Sequence, residues 1–359
     1  MTKIKICFIS PKAYPLFNTK IKSTFGGAEV QLSLLAKEYS QNNLLNVHFM
    51  VSDYGQTKKE VWGNVIVWKT FGKRIFTKIF NFFRIFHIIN ADVYIQRSVP
   101  FSFLIALYCY LWRKKYIFML SNDGEADGIH FQYIKFFGKM IAKLKFKLAF
   151  LVVTQNEYQN SSLQNIKKVN KIFLRSGYSI EKNLNNKKKE ILWVGRSSEE
   201  KQPEIFLKLA KKFKKESFIM ICPPATYSPE LSQKLEIKSR KIKNLKFIFF
   251  VSFDKINKYF QKAKIFINTS TKEGYPNTFV QAMKNKTPIL SLNIDPDNIF
   301  SKHNTGICCE NKINKMEKNL KKLLQNEKYF KYLSKNAFLY AKKNHNISVN
   351  AQKLLQFFK

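Results

Sequence analysis

Hydrophobic and polar positions follow two rhythms in this chain: short β-branched or aromatic runs, and longer stretches with helical periodicity. In the first half the short runs predict strands at Ile4–Ser10, Asn46–Ser52, Val65–Lys69, Asp92–Arg97, Tyr116–Ser121, Leu151–Thr154 and Ile172–Leu174. The stretches between them predict helices at Ala28–Ser40, Arg74–Ile89, Phe101–Trp112, Phe131–Leu148 and Glu157–Ile166. Strand–helix alternation of this kind is typical of a parallel, doubly wound sheet.

A polar, charged segment at 181–189 interrupts the alternation and is predicted to be a linker. After it the rhythm restarts, with strands at Ile191–Val194, Phe218–Ile221, Lys246–Val251, Lys264–Asn268, Pro288–Leu292 and Gly306–Cys309. Helices are predicted at Pro203–Phe213, Glu230–Lys241, Asp254–Lys262, Asn277–Lys284, Lys312–Gln325 and along the tail, Tyr329–Lys359.

The pattern therefore predicts an α/β protein with two Rossmann-like, doubly wound domains that face each other across a cleft. Residues 1–180 form the N-terminal domain and residues 190–359 the C-terminal domain. Whether the last helix packs back on the N-terminal domain stays open. Ligands of open α/β sheets bind beyond the carboxyl ends of the strands, so candidate chemistry is expected in the loops that follow strands.

Charge and cysteine content bear on partners and location. The chain of 359 residues has 63 Lys and Arg against 24 Asp and Glu, a formal net charge of +39. Such a field attracts nucleic acid, anionic lipid or phosphorylated substrates, and a coding bias toward Lys, Asn, Ile and Phe accounts for it equally well. Five scattered cysteines without a CxxC motif favour reduced thiols in a cytoplasmic protein. The first residues enter a strand pattern directly, so no signal peptide is expected.

Two strand–helix junctions carry features suited to phosphate. Gly26 and Gly27 open a helix, where glycine permits close approach of the backbone and the helix N-terminus presents free N–H groups to an anion. Arg196 and Lys201 flank a short loop before Pro203; Arg can grip two oxygens of a diphosphate, and Lys supplies a point charge. A plain helix-opening turn and two solvated cations are the alternative interpretations.

The most specific segment is Thr269–Ala282, which follows the predicted strand Lys264–Asn268. Glu273 stands before a helix that begins near Pro276, and it could accept hydrogen bonds from sugar hydroxyls. Gln281, eight residues later, could bind ribose hydroxyls through its amide. A surface carboxylate and a polar residue at a helix edge are the alternatives.

In this order the motifs resemble the retaining GT-B glycosyltransferases of family 4, over nearly the whole chain. GGAEVQ at 26–31 resembles the glycine loop of their N-terminal domain, and VGRSSEEKQP at 194–203 resembles their Arg…Lys diphosphate grip. EGYPNTFVQAM at 273–283, followed by TPILSLNIDPD at 287–297, is similar to their Glu-x7-Glu segment.

The resemblance implies that Glu273 holds the hydroxyls of the donor sugar, that Arg196 and Lys201 neutralise the departing diphosphate, and that Gly26 and Gly27 close over the phosphates. Backbone amides for sugar and phosphate are then expected from Gly274, Tyr275, Pro276, Asn277 and Thr278.

Two positions depart from the family pattern. Its second glutamate is Gln281 here, which still hydrogen-bonds a ribose. The histidine that many members carry in an N-terminal loop is absent from the stretch 121–124, so either Asp123 serves as the catalytic residue there or the position is not needed.

The predicted activity is retaining transfer of a sugar from a nucleotide-diphosphate-sugar, a UDP- or GDP-sugar, to a glycan or lipid-linked acceptor in cell-envelope polysaccharide biosynthesis, such as capsule or O-antigen. Two cations and a helix start could stabilise the leaving diphosphate without a metal, so no metal or other cofactor is expected. Asp295 and Asp297 have DxD spacing and are predicted to cap a helix at Asp297–Lys302.

Three further hypotheses concern partners and class. The basic amphipathic stretch Phe131–Leu148 could lie on an anionic membrane surface, as a peripheral contact on the inner face of the cytoplasmic membrane, or could simply cover the sheet. A nucleotide-sugar 2-epimerase shares the fold but needs acid–base residues on both sides of the sugar, and no such set is evident. Nucleic-acid binding is suggested by charge alone, and no specific nucleic-acid motif accompanies it.

Overall fold

The computed structural model describes residues 3–71, 75–97, 102–127, 144–163, 169–181, 188–225 and 229–358. The chain divides into two compact units: an N-terminal unit of Met1–Gly177 with Ile347–Lys359, and a C-terminal unit of Tyr178–Asn346. The final helix thus groups with the N-terminal unit. Most of the predicted linker, residues 182–187, lies outside the described residues.

The N-terminal unit is built on an eight-stranded sheet with the order β3-β4-β2-β1-β5-β6-β7-β8. Its strands are β1 (Ile4–Ile9), β2 (Leu45–Ser52), β3 (Lys59–Trp62), β4 (Val65–Phe71), β5 (Val93–Arg97), β6 (Lys115–Met119), β7 (Leu151–Thr154) and β8 (Lys171–Phe173). Its helices are Gly27–Tyr39, Ile75–Ile89, Ser102–Leu111, Gly124–Asp127, Glu157–Ser162 and Ile347–Leu355, with a 3-10 turn at Pro11–Leu16.

One strand of this sheet was not predicted. β3 pairs antiparallel with β4 at the edge, through a turn in which Gly63 has a φ of 60°. The strand alternates exposed and half-buried residues, so it lacks the apolar run that marks the buried parallel strands. The other strand pairs of the sheet are parallel, as predicted.

The basic stretch Phe131–Leu148 is described only from residue 144 onward, so its predicted membrane contact stays a prediction. Within the described part, Lys147 is exposed, whereas Lys145 is buried with its Nζ 4.3 Å from the centroid of the Phe118 ring. Burial lowers the pKa of Lys145. Lys145 therefore faces the core of the unit. Among the described residues, no helix combines the length and apolarity needed to cross a bilayer.

The C-terminal unit is built on a six-stranded parallel sheet with the order β11-β10-β9-β12-β13-β14. Its strands are β9 (Glu190–Val194), β10 (Ser217–Ile221), β11 (Leu245–Ile248), β12 (Ala263–Asn268), β13 (Ile289–Ser291) and β14 (Gly306–Cys308). Its helices are Pro203–Lys212, Pro229–Arg240, Phe253–Lys262, Asn277–Lys284, Ile299–His303, Ile313–Gln325 and Glu327–Asn344.

This strand order creates a switch point. From β9 the chain builds the sheet first to one side, through β10 and β11, and then to the other, through β12, β13 and β14. Helices that leave β9 and β12 in opposite directions open a crevice at the carboxyl ends of these two strands, where ligands of doubly wound sheets bind. The predicted α/β architecture with two doubly wound sheets is confirmed.

Candidate active site

The loops that follow β9 and β12 meet at the switch point of the C-terminal sheet. The backbone N–H of Thr271 donates to the carbonyl of Glu200 over 2.8 Å, and the hydroxyl of Thr269 donates to the carbonyl of Lys201. Thr269 in turn accepts a hydrogen bond of 2.9 Å from the indole Nε1 of Trp193. Because Trp193 is buried in β9, this chain of contacts fixes both loops to the sheet.

Lys201 and Glu273 are brought into direct contact. The ammonium of Lys201 donates to Oε1 of Glu273, and the hydroxyl of Ser270 donates to the same oxygen over 2.9 Å. The side chains are 21% and 18% exposed, so the pair is partly screened from water yet still reachable. A cation and a carboxylate, 72 residues apart in sequence, therefore share one small region at the carboxyl edge.

Arg196 lies on the same loop as Lys201 but is exposed. Its loop is held beside the segment that follows β10: Ser197 N donates to the carbonyl of Pro223 over 3.0 Å, and Ala225 N donates to the hydroxyl of Ser197 over 3.1 Å. Within the described ranges, the guanidinium of Arg196 forms no hydrogen bond or ion pair. The structure thus brings Lys201, but not Arg196, against Glu273.

The helix Asn277–Lys284 begins directly after the Glu273 loop. Pro276, the residue before it, has no side-chain acceptor for the N–H groups of the first turn, which suits an anion at this helix start. Gly274 and Tyr275 occupy the loop, and Asn277 and Thr278 form the first turn. The predicted ribose ligand Gln281 lies in the same helix and is only 7% exposed.

The C-terminal unit, which contains this geometry, is also the part of the chain that matches a known protein family. Residues 178–340 match the family model described as glycosyl transferases group 1. The matched region contains the predicted donor-binding residues from Arg196 to Gln281, including both members of the Lys201–Glu273 pair, whereas Gly26 and Gly27 lie outside it. A comparison with curated protein sequences gives no match.

Solved structures resemble the whole chain in fold. Sucrose-phosphate synthase from Thermosynechococcus elongatus has a TM-score of 0.77 at 13% identity, covering 99% of this chain and 98% of the other. Anabaena Alr3699/HepE in complex with UDP and glucose has a TM-score of 0.73 at 14% identity, covering 98% of each chain. The trehalose-6-phosphate synthase OtsA has a TM-score of 0.73 at 10% identity, covering 99% of this chain and 98% of the other. The shared fold is GT-B.

In the N-terminal unit, the predicted phosphate-closing glycines begin the helix Gly27–Tyr39. The N–H of Gly26 donates to Oε2 of Glu29 over 2.8 Å, so one of the donors that the prediction assigned to phosphate is engaged within its own helix start. Gly27 is the first residue of that helix.

Asp123, predicted as a catalytic residue, stands before the short helix Gly124–Asp127. Its Oδ1 accepts hydrogen bonds from Asn156 Nδ2 at 2.8 Å and from Gln159 Nε2 at 3.0 Å. Both amides belong to the turn that starts the helix Glu157–Ser162, so Asp123 ties the loops after β6 and β7 together. The structure thus gives this carboxylate a definite structural task.

The two carboxylates with DxD spacing, Asp295 and Asp297, lie before the helix Ile299–His303. In the parts of the chain that the structure describes, no three His, Cys, Asp or Glu side chains cluster as they would around a metal ion. Asp295 accepts from the backbone N–H of Phe300 over 3.0 Å, at the start of the helix Ile299–His303. Asp295 therefore binds the first turn of a helix that begins at Ile299, two residues later than predicted, and burial raises the pKa of Asp295.

Sequence reasoning gave no role to the residues that hold the charged pair in place. Thr269 and Ser270 directly follow the strand that ends at Asn268, and short hydroxyl side chains at a strand end often hydrogen-bond nearby loops. That pattern could have indicated their role. His345 was not singled out for this site, yet its Nε2 is hydrogen-bonded to the Tyr275 hydroxyl over 2.8 Å. Its 70-residue separation from Tyr275 left no local pattern to recognise.

Proposed function

We propose that this protein is a retaining glycosyltransferase that uses a nucleotide-diphosphate-sugar. The observation that carries the proposal is the Lys201–Glu273 pair, formed by the two loops that flank the switch point, inside the region that matches the group 1 model. Retention and membership of family 4 rest on the resemblance of the sequence motifs.

In this proposal a bound donor separates Lys201 from Glu273, and each residue then binds a different part of the donor. Lys201 turns to the diphosphate, whose developing charge it neutralises, and Glu273 accepts hydrogen bonds from the sugar hydroxyls. The start of the helix Asn277–Lys284 adds backbone donors for phosphate oxygens, and exposed Arg196 is free to swing toward the outer phosphate. Stabilising the leaving group electrostatically in this way needs no metal.

The acceptor side belongs to the N-terminal unit in this proposal, with Gly26 and Gly27 closing over the phosphates. Asp123 is assigned there as well: among the described residues both amide contacts go to Oδ1, which leaves Oδ2 for an acceptor hydroxyl. Loss of transfer with retained stability in Asp123→Asn would support that assignment, because asparagine keeps an oxygen acceptor for Asn156 and Gln159.

UDP-sugars are the first donors to test. The structure of Anabaena Alr3699/HepE is described as a complex with UDP-glucose, and that of an E. coli trehalose-6-phosphate protein as bound with UDP-2-fluoro glucose. These likenesses lie at 13% and 10% identity, so the donor base is part of the proposal.

For the acceptor we propose a glycan or a lipid-linked glycan of cell-envelope polysaccharide biosynthesis, met in the cytoplasm at the inner membrane face. A sugar phosphate is the second candidate, favoured by the names sucrose-phosphate synthase and trehalose-6-phosphate synthase among the structural neighbours. The two differ in a simple way: a sugar phosphate supports transfer in detergent-free buffer, whereas a lipid-linked acceptor requires micelles or vesicles.

The test begins with a thermal-shift screen of UDP-, GDP- and ADP-sugars. A ligand at 100 times its Kd stabilises the fold by about 2.7 kcal/mol. The best donor is then incubated with each acceptor class, and the anomeric configuration of the product is read by NMR. Inversion would disprove retention.

Two other outcomes would reject the proposed function. Appearance of an epimerised nucleotide-sugar without acceptor would support the 2-epimerase hypothesis instead. The absence of any stabilising nucleotide-sugar would reject nucleotide-sugar binding altogether.

A further inference from the structure

The chain enters and leaves the C-terminal unit through two neighbouring backbone segments, residues 178–180 and 344–346, which we call the crossing segments. The N–H of Tyr178 donates to the carbonyl of His345 over 2.8 Å, and Tyr178 forms a parallel bridge with Asn346. Entry and exit are therefore joined to each other within this unit.

The beginning of the donor helix, Asn277–Lys284, is tied to the exit segment. Tyr275 precedes this helix by two residues, and its hydroxyl is 2.8 Å from Nε2 of His345. His345 is fully buried, with the Tyr275 and Tyr340 rings at centroid distances of 5.0 and 5.7 Å. A buried imidazole needs hydrogen-bond partners, and the phenol of the donor loop supplies one.

The end of the same helix is tied to the entry segment. Lys284, its last residue, is buried, and its Nζ donates to the carbonyl of Ser179 over 3.1 Å. The same ammonium lies 5.9 Å from the centroid of the Tyr178 ring. Burial lowers the pKa of Lys284, as expected for an ammonium taken out of water. A lysine at this depth is unusual unless its charge is satisfied.

We infer that His345 and Lys284 are positioning residues for the donor: they hold the two ends of the donor helix against the crossing segments. The inference rests on the proposed function, because it gives the helix start and the Glu273 loop their role in binding. Neither residue touches the donor in this arrangement. Their removal alters the angle at which Glu273 and the first helical turn are presented, while the fold of the sheet persists.

The test compares two replacements of His345. His345→Gln keeps an amide near the position of Nε2 and can still bond the Tyr275 hydroxyl, whereas His345→Leu fills a similar volume without a polar atom. We expect His345→Leu to weaken UDP binding about tenfold, the worth of one hydrogen bond, and His345→Gln to stay within about threefold of wild type. Tyr275→Phe should match His345→Leu, and the double variant should be no weaker than either single variant.

Tyr39→Phe is the matched control, because it also deletes one buried hydroxyl hydrogen bond, 2.9 Å to the carbonyl of Ala351, but in the N-terminal unit. It should lower the Tm without changing the Kd for UDP. Lys284→Met should weaken UDP binding as His345→Leu does. If wild-type protein binds UDP, and both His345 variants bind UDP as tightly as wild type does, the inference is refuted. If wild-type protein binds no nucleotide diphosphate, the proposed function fails first.

Discussion

Replacing Lys201 with methionine removes one charge from the proposed diphosphate site while keeping most of the side-chain volume. We expect this variant to bind UDP about 30-fold more weakly than wild type and to bind uridine almost unchanged, because only the diphosphate interacts with the ammonium. Isothermal titration calorimetry with UDP, UMP and uridine measures the three affinities directly.

The magnitude follows from the surroundings of the pair. A hydrogen bond to a charged group contributes about 1.5–3 kcal/mol net. Lys201 already contacts Glu273, so on binding a diphosphate its ammonium exchanges one anionic partner for another. The Lys201 side chain is also 21% exposed to water. Both points favour the lower half of that range, about 2 kcal/mol, which corresponds to roughly 30-fold in Kd.

The control is Lys238→Met. Lys238 forms an ion pair of 2.7 Å with Glu204 in the same unit, with both side chains more than half exposed. The variant therefore removes an equal charge from the helix Pro229–Arg240, outside the two loops that follow β9 and β12. It should leave the Kd for UDP within about twofold of wild type, because an exposed ammonium outside these loops makes no contact with the diphosphate and its longer-range field is screened by salt. Equal losses for UDP and uridine in Lys201→Met, or equal losses of UDP affinity in both variants, would refute the reasoning.

Three further outcomes are expected. Glu273→Ala should lower kcat for sugar transfer at least 100-fold, while circular dichroism and Tm show an intact fold; wild-type turnover would remove Glu273 from the site. Thr269→Val should lower the free energy of unfolding in urea by about 2 kcal/mol, because the buried Nε1 of Trp193 loses its acceptor. Burial lowers the pKa of His48 to about 4, and its Nδ1 accepts from Trp68 Nε1 over 2.9 Å. Because the unfolded chain binds the proton first, stability should fall by about 2 kcal/mol from pH 6.5 to 4, and His48→Asn, which cannot titrate, should flatten that part of the curve.

The hydrophobic pattern was sufficient to locate most of the strands. A buried parallel strand needs apolar residues on both faces, so runs such as Ile4–Ile9 and Leu151–Thr154 stand out locally. The edge strand Lys59–Trp62 has four residues, two of them charged, and none of them is buried, so it shows no apolar run and was missed for that reason. The helix Asn277–Lys284 was predicted with its observed bounds, because Pro276 before it favours an extended backbone at Tyr275.

Part of the chemistry of the site could also be predicted from sequence, because it depends on residue types within a few positions. Glycine, proline and a carboxylate after a strand form a local motif, so Glu273 and the residues after it could be chosen without the fold. Lys201 could be chosen from its place between a strand and Pro203, but in a chain with 63 Lys and Arg this place did not show which carboxylate it contacts. The pair emerges from strand order: β9 and β12 are neighbours in the sheet, and that adjacency brings their loops together.

The sequence by itself thus determined the fold class and the loops that carry the candidate chemistry, because both depend on residue type within a few positions. Only the tertiary structure decided which charges meet, that Lys145 is buried, that two amides bind Asp123, and that His345 holds Tyr275. Each of these contacts joins residues far apart in the chain. Its energy depends on distance and on exclusion of water, and the order of residues alone specifies neither.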